Sequence, residues 1–242
     1  HSPIDPKPRG APVFCLDVET GEEIWSISMS AASYRFTGLI GDSTIVLLDT
    51  YDNRIYGIGK GQSATTVTAP DMGVPLESSV IIHGRVTDES PGTKDYALTA
   101  RFPDGVPAIS DEHMSEWMEY VYKQFERPAD ATGVPVKLEA VDPTGSYLYI
   151  GTATSDAYGN YGLAFEPDTE GQYMIIATFY GSGAYYGSTT TTYLTADPAP
   201  EPYPEIPEAP ETPEYTTVDL VLIVLVAVAI VIGLVILLRK QK

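Results

Sequence analysis

Few residues in this sequence are of a type and spacing that does chemistry. His113 follows Glu112 and precedes Glu116 by three positions, a pairing that could move a proton, but no nucleophile is placed with it and His-x-x-Glu spacing is common by chance. His83 sits in an alternating apolar run and reads as a strand residue. The Asp156–Asn160 segment offers oxygen ligands that could hold calcium. Asp, Gly and Asn are also turn formers in their own right, so a plain hairpin turn accounts for the same residues. Tyr180, Tyr185 and Tyr186 could present aromatic faces to a carbohydrate, although a chain with 17 tyrosines exposes some rings in any case. Cys15 alternates with Val13 and reads as a buried, inert thiol. One cysteine and three histidines exclude a disulfide framework, a cysteine-built zinc or iron–sulfur site and a multi-histidine metal site. No glycine-rich phosphate loop is present. The expectation is a chain with no catalytic, cofactor-binding or metal residue, calcium at the 156–160 loop being the one cofactor left open.

Composition narrows the partners. The 242 residues hold 33 acids against 14 Lys and Arg, a net charge of −19. Phosphate affinity needs clustered cations, so nucleic acid is excluded as a partner, and docking on anionic lipid by charge alone is disfavoured. With 43% hydrophobic and 10% aromatic residues the chain is too apolar to be disordered throughout. Only Asn53 and Asn160 occur, and neither opens an Asn-x-Ser/Thr acceptor site.

The strongest positional signal is Leu220–Leu238, 19 apolar residues with no charge and no proline. At ~1.5 Å per residue that nearly matches a hydrocarbon core of about 30 Å. Arg239, Lys240 and Lys242 follow, which predicts a membrane anchor over 217–238, a basic cytoplasmic tail over 239–242 and everything upstream outside the cell. Membrane lipid is thus the first expected partner. Gly233 has only Ala229 four residues away, a weak helix-packing motif. Asp197–Glu214 carries seven prolines, six acids and no base, which predicts an extended stalk of roughly 55 Å over about 197–216. The polar, Pro-rich His1–Gly10 segment has no export signal, so the chain reads as a processed product or part of something longer.

Two β regions precede the stalk. In residues 1–62, strands are expected at 13–18, 23–27, 43–49 and 54–59, separated by Gly/Asp/Asn turns, as an antiparallel meander. Leu16-Asp17, Thr20-Gly21 and Trp25 resemble the repeat signature of pyrroloquinoline-quinone-type (PQQ-like) β-propellers, and Asp52–Ile58 resembles the strand closing such a blade. The resemblance implies that Gly21 permits the turn and that Trp25 docks against a neighbouring blade, plain core packing being the alternative. About one blade is present where propellers use several, so no quinone site follows.

Gln62–Thr66 reads as a linker. From 63 to 196, six or more short strands with turns every 8–12 residues predict a β-sandwich. Thr154–Tyr161, Pro167–Tyr173 and Ala177–Gly181 resemble bacterial and archaeal surface immunoglobulin-like domains. Roughly residues 90–130 interrupt the pattern. There Met114, Trp117, Met118, Val121, Tyr122 and Phe125 make one apolar helical face, with Ser110 as cap, Glu119 and Lys123 paired on the other side and Arg127-Pro128 as terminator. That face either packs on the sheet around Trp117 or awaits a partner.

The fold class expected is mainly β: a partial propeller blade, an immunoglobulin-like sandwich with one inserted helix, a Pro-rich stalk and one C-terminal transmembrane helix. This combination is similar to archaeal or bacterial cell-surface proteins. It implies a non-catalytic scaffold, adhesion or binding module with a surface protein or glycan as partner. The alternative is the anchoring tail of a larger PQQ-like propeller enzyme or of a carbohydrate-binding surface protein.

Overall fold

The computed structural model describes residues 10–30, 38–199 and 215–240. The expectations for the first nine residues, most of the stalk and the end of the basic tail lie outside the described residues. The chain divides into two units, 1–200 and 201–242, each taken by itself.

The first unit opens with two small sheets. Strand β1 (Ala11–Leu16) pairs antiparallel with β2 (Glu23–Met29). In the turn between them the Asp17 carboxylate accepts the amides of Thr20 and Glu19 at 2.8 and 2.9 Å, which hold it below the usual carboxylate range. Gly21 closes that turn at φ +74°, a conformation open to glycine, with its amide on the Asp17 carbonyl at 2.9 Å. Strands β3 (Leu39–Gly41), β4 (Thr44–Asp49) and β5 (Arg54–Ile58) form the second sheet. Asp42 and Ser43 join β3 to β4 with positive φ at both, the backbone of a two-residue type I′ hairpin.

All four expected strands are present, but they do not form one meander, and β3 is an addition. The reason lies at the outer edge of β2. Its Ser26 and Ser28 amides donate to the Ser115 hydroxyl at 3.2 Å and the Glu119 carboxylate at 2.7 Å, so side chains hold the edge a further strand would need. Ile27, Met29 and Leu47 are the buried core between the two sheets, with Trp25, Ile45, Tyr56 and Ile58 half-buried around them.

The sandwich follows. Its larger sheet runs in the order β11 (Tyr147–Thr154), β10 (Pro135–Val141), β13 (Gly171–Gly181), β14 (Tyr186–Asp197), β7 (Val74–Pro75). The smaller runs β12 (Asn160–Phe165), β8 (Val80–Asp88), β6 (Ser63–Thr68), with β9 (Val106–Pro107) also on β8. All pairs are antiparallel except β14 with β7. Strict alternation turns Val136, Leu138 and Ala140 of β10 and Tyr173, Ile175, Ala177 and Phe179 of β13 inward, against Ile82, Val86, Tyr161 and Phe165 of the other sheet. The fold is therefore mainly β with a sandwich, as its sequence pattern implies. The segment read as a linker is in fact β6. Its threonines suit a strand, and the buried Thr65 hydroxyl is satisfied by Ser188 of β14 at 2.7 Å.

Between β8 and β10 lie α1 (Tyr96–Arg101), a 3-10 turn at Asp111–His113 and α2 (Met114–Lys123). Helix α1 was not expected; the Asp95 side chain caps it through the Ala97 amide at 2.8 Å. Helix α2 ends at Gln124, whose φ of +60° breaks the ladder before Arg127-Pro128 does. Ser110 makes no cap hydrogen bond; its hydroxyl lies 3.1 Å from that of Thr132.

The second unit contains α3 (Thr217–Lys240), 24 residues that include Leu220, Leu238, Arg239 and Lys240. Thr216 and Asp219 cap it reciprocally: the Thr216 amide and hydroxyl donate to the carboxylate at 2.9 and 2.6 Å. It is long and apolar enough to cross a membrane, and none of it is buried.

Candidate functional site

Helix α2 organises the first unit. Trp117 and Val121 are buried with Leu98, Val106, Ile109 and Ala131 in a core of their own beside the sandwich. The Trp117 ring lies 5.2 Å from Tyr120 and 6.4 Å from Phe102, and its indole N–H has no hydrogen-bond partner among the described residues. Met114 packs on the sandwich core. So Trp117 and Val121 of the apolar face are covered from within, and Met114, Met118, Tyr122 and Phe125 are half-buried.

The other side of α2 grips the small sheets. Glu119 and Lys123 do not pair with each other as their spacing suggests. Glu119 accepts from Ser28, and Lys123 forms a buried ion pair with Asp49 of β4. The Asp49 carboxylate also accepts the Tyr51 amide at 2.9 Å and the Ser30 amide at 3.0 Å. Burial pushes this carboxyl up, but the Lys123 ammonium and the two amides outweigh it and hold it below the usual range. The ammonium also lies 4.7 Å from the Tyr56 ring centroid. No sequence signal pointed to this pair, since its partners are 74 residues apart.

The start of α2 is tied to the sandwich by Asp111. Its carboxylate accepts the Ser182 hydroxyl and the amides of Gly183 and Ala184 at 2.7–3.0 Å, at the tip of the β13–β14 hairpin. These ties leave a cleft of about 1250 Å³ between the small sheets on one side and the 91–94 turn, α2 and the hairpin tip on the other. Trp25, Ile45 and Tyr56 of the small sheets and Met114, Met118 and Tyr122 are among the residues lining it. Asp88, also in its lining, is 3% exposed and accepts the Ser90 amide at 2.8 Å. Burial pushes its carboxyl up, and burial together with the Asp88 charge pushes the Tyr122 and Tyr185 hydroxyls up. No histidine is among the described residues lining the cleft. An open apolar groove with a buried carboxyl in its lining is a shape for binding.

The residues singled out in the sequence are scattered. Gly21 is in the β1–β2 turn and Trp25 is in the cleft wall opposite Cys15 in register. Trp117 is in the helix core, and Leu220, Leu238, Arg239 and Lys240 are in α3. Asp156 is occupied as a turn former, its Oδ1 accepting the amides of Tyr158 and Asn160 at 2.8 and 2.9 Å. His113 is half-buried between exposed Glu112 and Glu116, and no group of three metal-binding side chains occurs among the described residues. Tyr180 and Tyr186 are exposed, but Tyr185 is 2% exposed, so the three do not make one platform.

No protein-family model matches the chain. No curated protein matches it either. Among solved structures, the fibronectin(III)-like modules of Clostridium thermocellum CbhA are similar at 14% identity, over 81% of this chain and 82% of theirs, with a TM-score of 0.31. That likeness is too distant to add to what the strand pairing says: this chain carries a β-sandwich and one helix able to span a membrane.

Proposed function

We propose that the chain is a non-catalytic scaffold, adhesion or binding module of a cell surface, held by α3 with residues upstream outside and the C-terminus in the cytoplasm. The observation that carries the reading is α3 itself: 24 residues, apolar between its capping acid and its terminal bases, long enough to cross a membrane. Arg239 and Lys240 at its end favour the cytoplasmic side. The acidic, Pro-rich segment before it serves as a stalk, and the combination is that of archaeal or bacterial surface proteins. The binding surface is the cleft beside α2, with a surface protein or glycan as partner.

A second reading, the anchoring end of a larger PQQ-like propeller, is favoured by a different observation. The two small sheets expose Phe14, Leu16, Ile24, Leu39, Ile40 and Ile55 at 52–79%, an unusual amount of open apolar surface. Sheets of adjacent blades would cover it.

Titrating the purified chain with pyrroloquinoline quinone and calcium, read by the fluorescence of Trp25 and Trp117, tests the first reading. The first reading predicts no saturable quinone binding. Saturable one-to-one binding, or dehydrogenase turnover, would sink it. Calcium-dependent stabilisation alone is compatible with it, since acidic loops bind calcium without chemistry.

A further inference from the structure

The outer face of the larger sheet is separate from the cleft and is built unlike the rest of the surface. Register places Tyr147, Val141, Met174 and Tyr193 in one row across β11, β10, β13 and β14. The next row is Tyr149, Glu139, Ile176 and Thr191. Tyr147, Tyr149 and Tyr193 are 72%, 65% and 57% exposed, so nothing among the described residues covers these rings. Val141, Met174 and Ile176 lie half-buried between them. The charges in these rows and the adjoining Thr152–Lys137–Thr178–Thr189 row are Lys137 and Glu139, paired at 2.7 Å. A chain of net charge −19 thus keeps one broad sheet face neutral, aromatic and Met-containing, the composition of an interface centre.

We propose that this face pairs with the same face of a second copy of the chain. Two copies this acidic repel one another over most of their surface, and a face without net charge is where they can approach. Lys137 and Glu139 stand two residues apart on one strand and point the same way. A two-fold axis passing between them sets Lys137 of one copy against Glu139 of the other, so the charge pattern is complementary to itself. Val141, Met174 and Ile176 then lose their remaining exposure beside the axis, and the tyrosine hydroxyls keep the rim hydrated. Stacking two antiparallel sheets face to face is the geometry the sandwich already uses inside. Anchoring through α3, which rests on the function proposed above, would hold copies in one plane and raise their effective concentration.

The test uses the full-length chain in lipid nanodiscs or detergent, with self-association followed by sedimentation and thermal melting as a check on folding. Lys137→Glu and Glu139→Lys, made separately, each put like charges across the axis and weaken self-association at least about tenfold. An equimolar mixture of the two variants recovers pairing as mixed dimers. Tyr193→Asp, at an exposed position, gives the same loss should either charge variant fail to fold. A wild-type chain that stays monomeric at the highest attainable concentration overturns the proposal. So does a dimer indifferent to all three substitutions, which would place the contact elsewhere, or a face that captures a neutral polysaccharide or another protein in place of a second copy. A chain that fractionates with membranes yet stays monomeric overturns the pairing and leaves the anchoring intact.

Discussion

Replacing Lys123 with methionine probes the contact on which the first unit depends. The substitution preserves much of the side-chain volume and removes the ammonium, so Asp49, fully buried, loses its counter-charge. Breaking one side of a buried pair costs about 3–5 kcal/mol. The amides of Ser30 and Tyr51 still hold the carboxylate, which places the expected loss near the lower end, about 3 kcal/mol. The pH dependence is the sharper signature. In the wild type the Asp49 carboxyl is lowered, so its contribution is present above the unfolded value and is lost only as pH falls below about 4. Without Lys123, burial dominates and the folded-state carboxyl is raised. The folded state then binds the proton more tightly than the unfolded one, and stability increases as pH falls toward the unfolded value of about 4. Urea unfolding of the full-length chain in detergent, followed by Trp25 and Trp117 fluorescence at several pH values, reads both effects. Pairing Lys123→Met with Asp49→Leu should recover most of the loss. A cost under about 1 kcal/mol with no inversion of the pH trend would mean that solvent screens the pair, and the reasoning would fail.

Three further outcomes are expected. Trp117→Ala should cost about 3–5 kcal/mol in urea unfolding, as a fully buried aromatic does, whereas Trp117→Phe, which also deletes the unpaired indole N–H, should cost less than about 1.5 kcal/mol. Asp111→Ala should cost about 1–2 kcal/mol and speed amide hydrogen exchange at Gly183, whose N–H loses its Asp111 acceptor, and at Ala184, which keeps only the Ser182 hydroxyl at 3.2 Å. Gly84→Ala would bring a methyl to 1.9 Å from the Thr66 carbonyl and 2.6 Å from the Tyr161 hydroxyl, so the β6–β8 pair must shift; a loss of about 3 kcal/mol in thermal or urea unfolding is expected.

Local patterns made the strands and α3 legible. Alternation in Val136–Ala140 and Tyr173–Phe179 marks the inner face of the sandwich directly, and the apolar run in α3 needs only counting. The helix face around Trp117 was legible too, though not what covers it. What stayed hidden depends on partners far along the chain. Ser26 and Ser28 look like ordinary strand residues, and only the approach of α2 shows why β2 ends its sheet. Lys123 sits at the right spacing for Glu119, and local sequence carries no sign that Asp49 and Ser28 compete for the two of them. Threonine and serine made β6 resemble a linker because its hydroxyls are satisfied across the sandwich by Ser188. The cleft was illegible for the same reason: its walls come from the small sheets, α2 and the tip of the β13–β14 hairpin, regions more than a hundred residues apart at the extremes.

The central claim, a surface module anchored by α3, is tested most directly by protease treatment of intact cells that carry the native protein. The account predicts that cleavage in the Pro-rich segment releases a soluble fragment ending near residue 200, which retains the sandwich, while α3 and the basic tail stay with the membrane. A chain that remains whole in intact cells and is cut only after lysis, or that is recovered in the soluble fraction without protease, would contradict it.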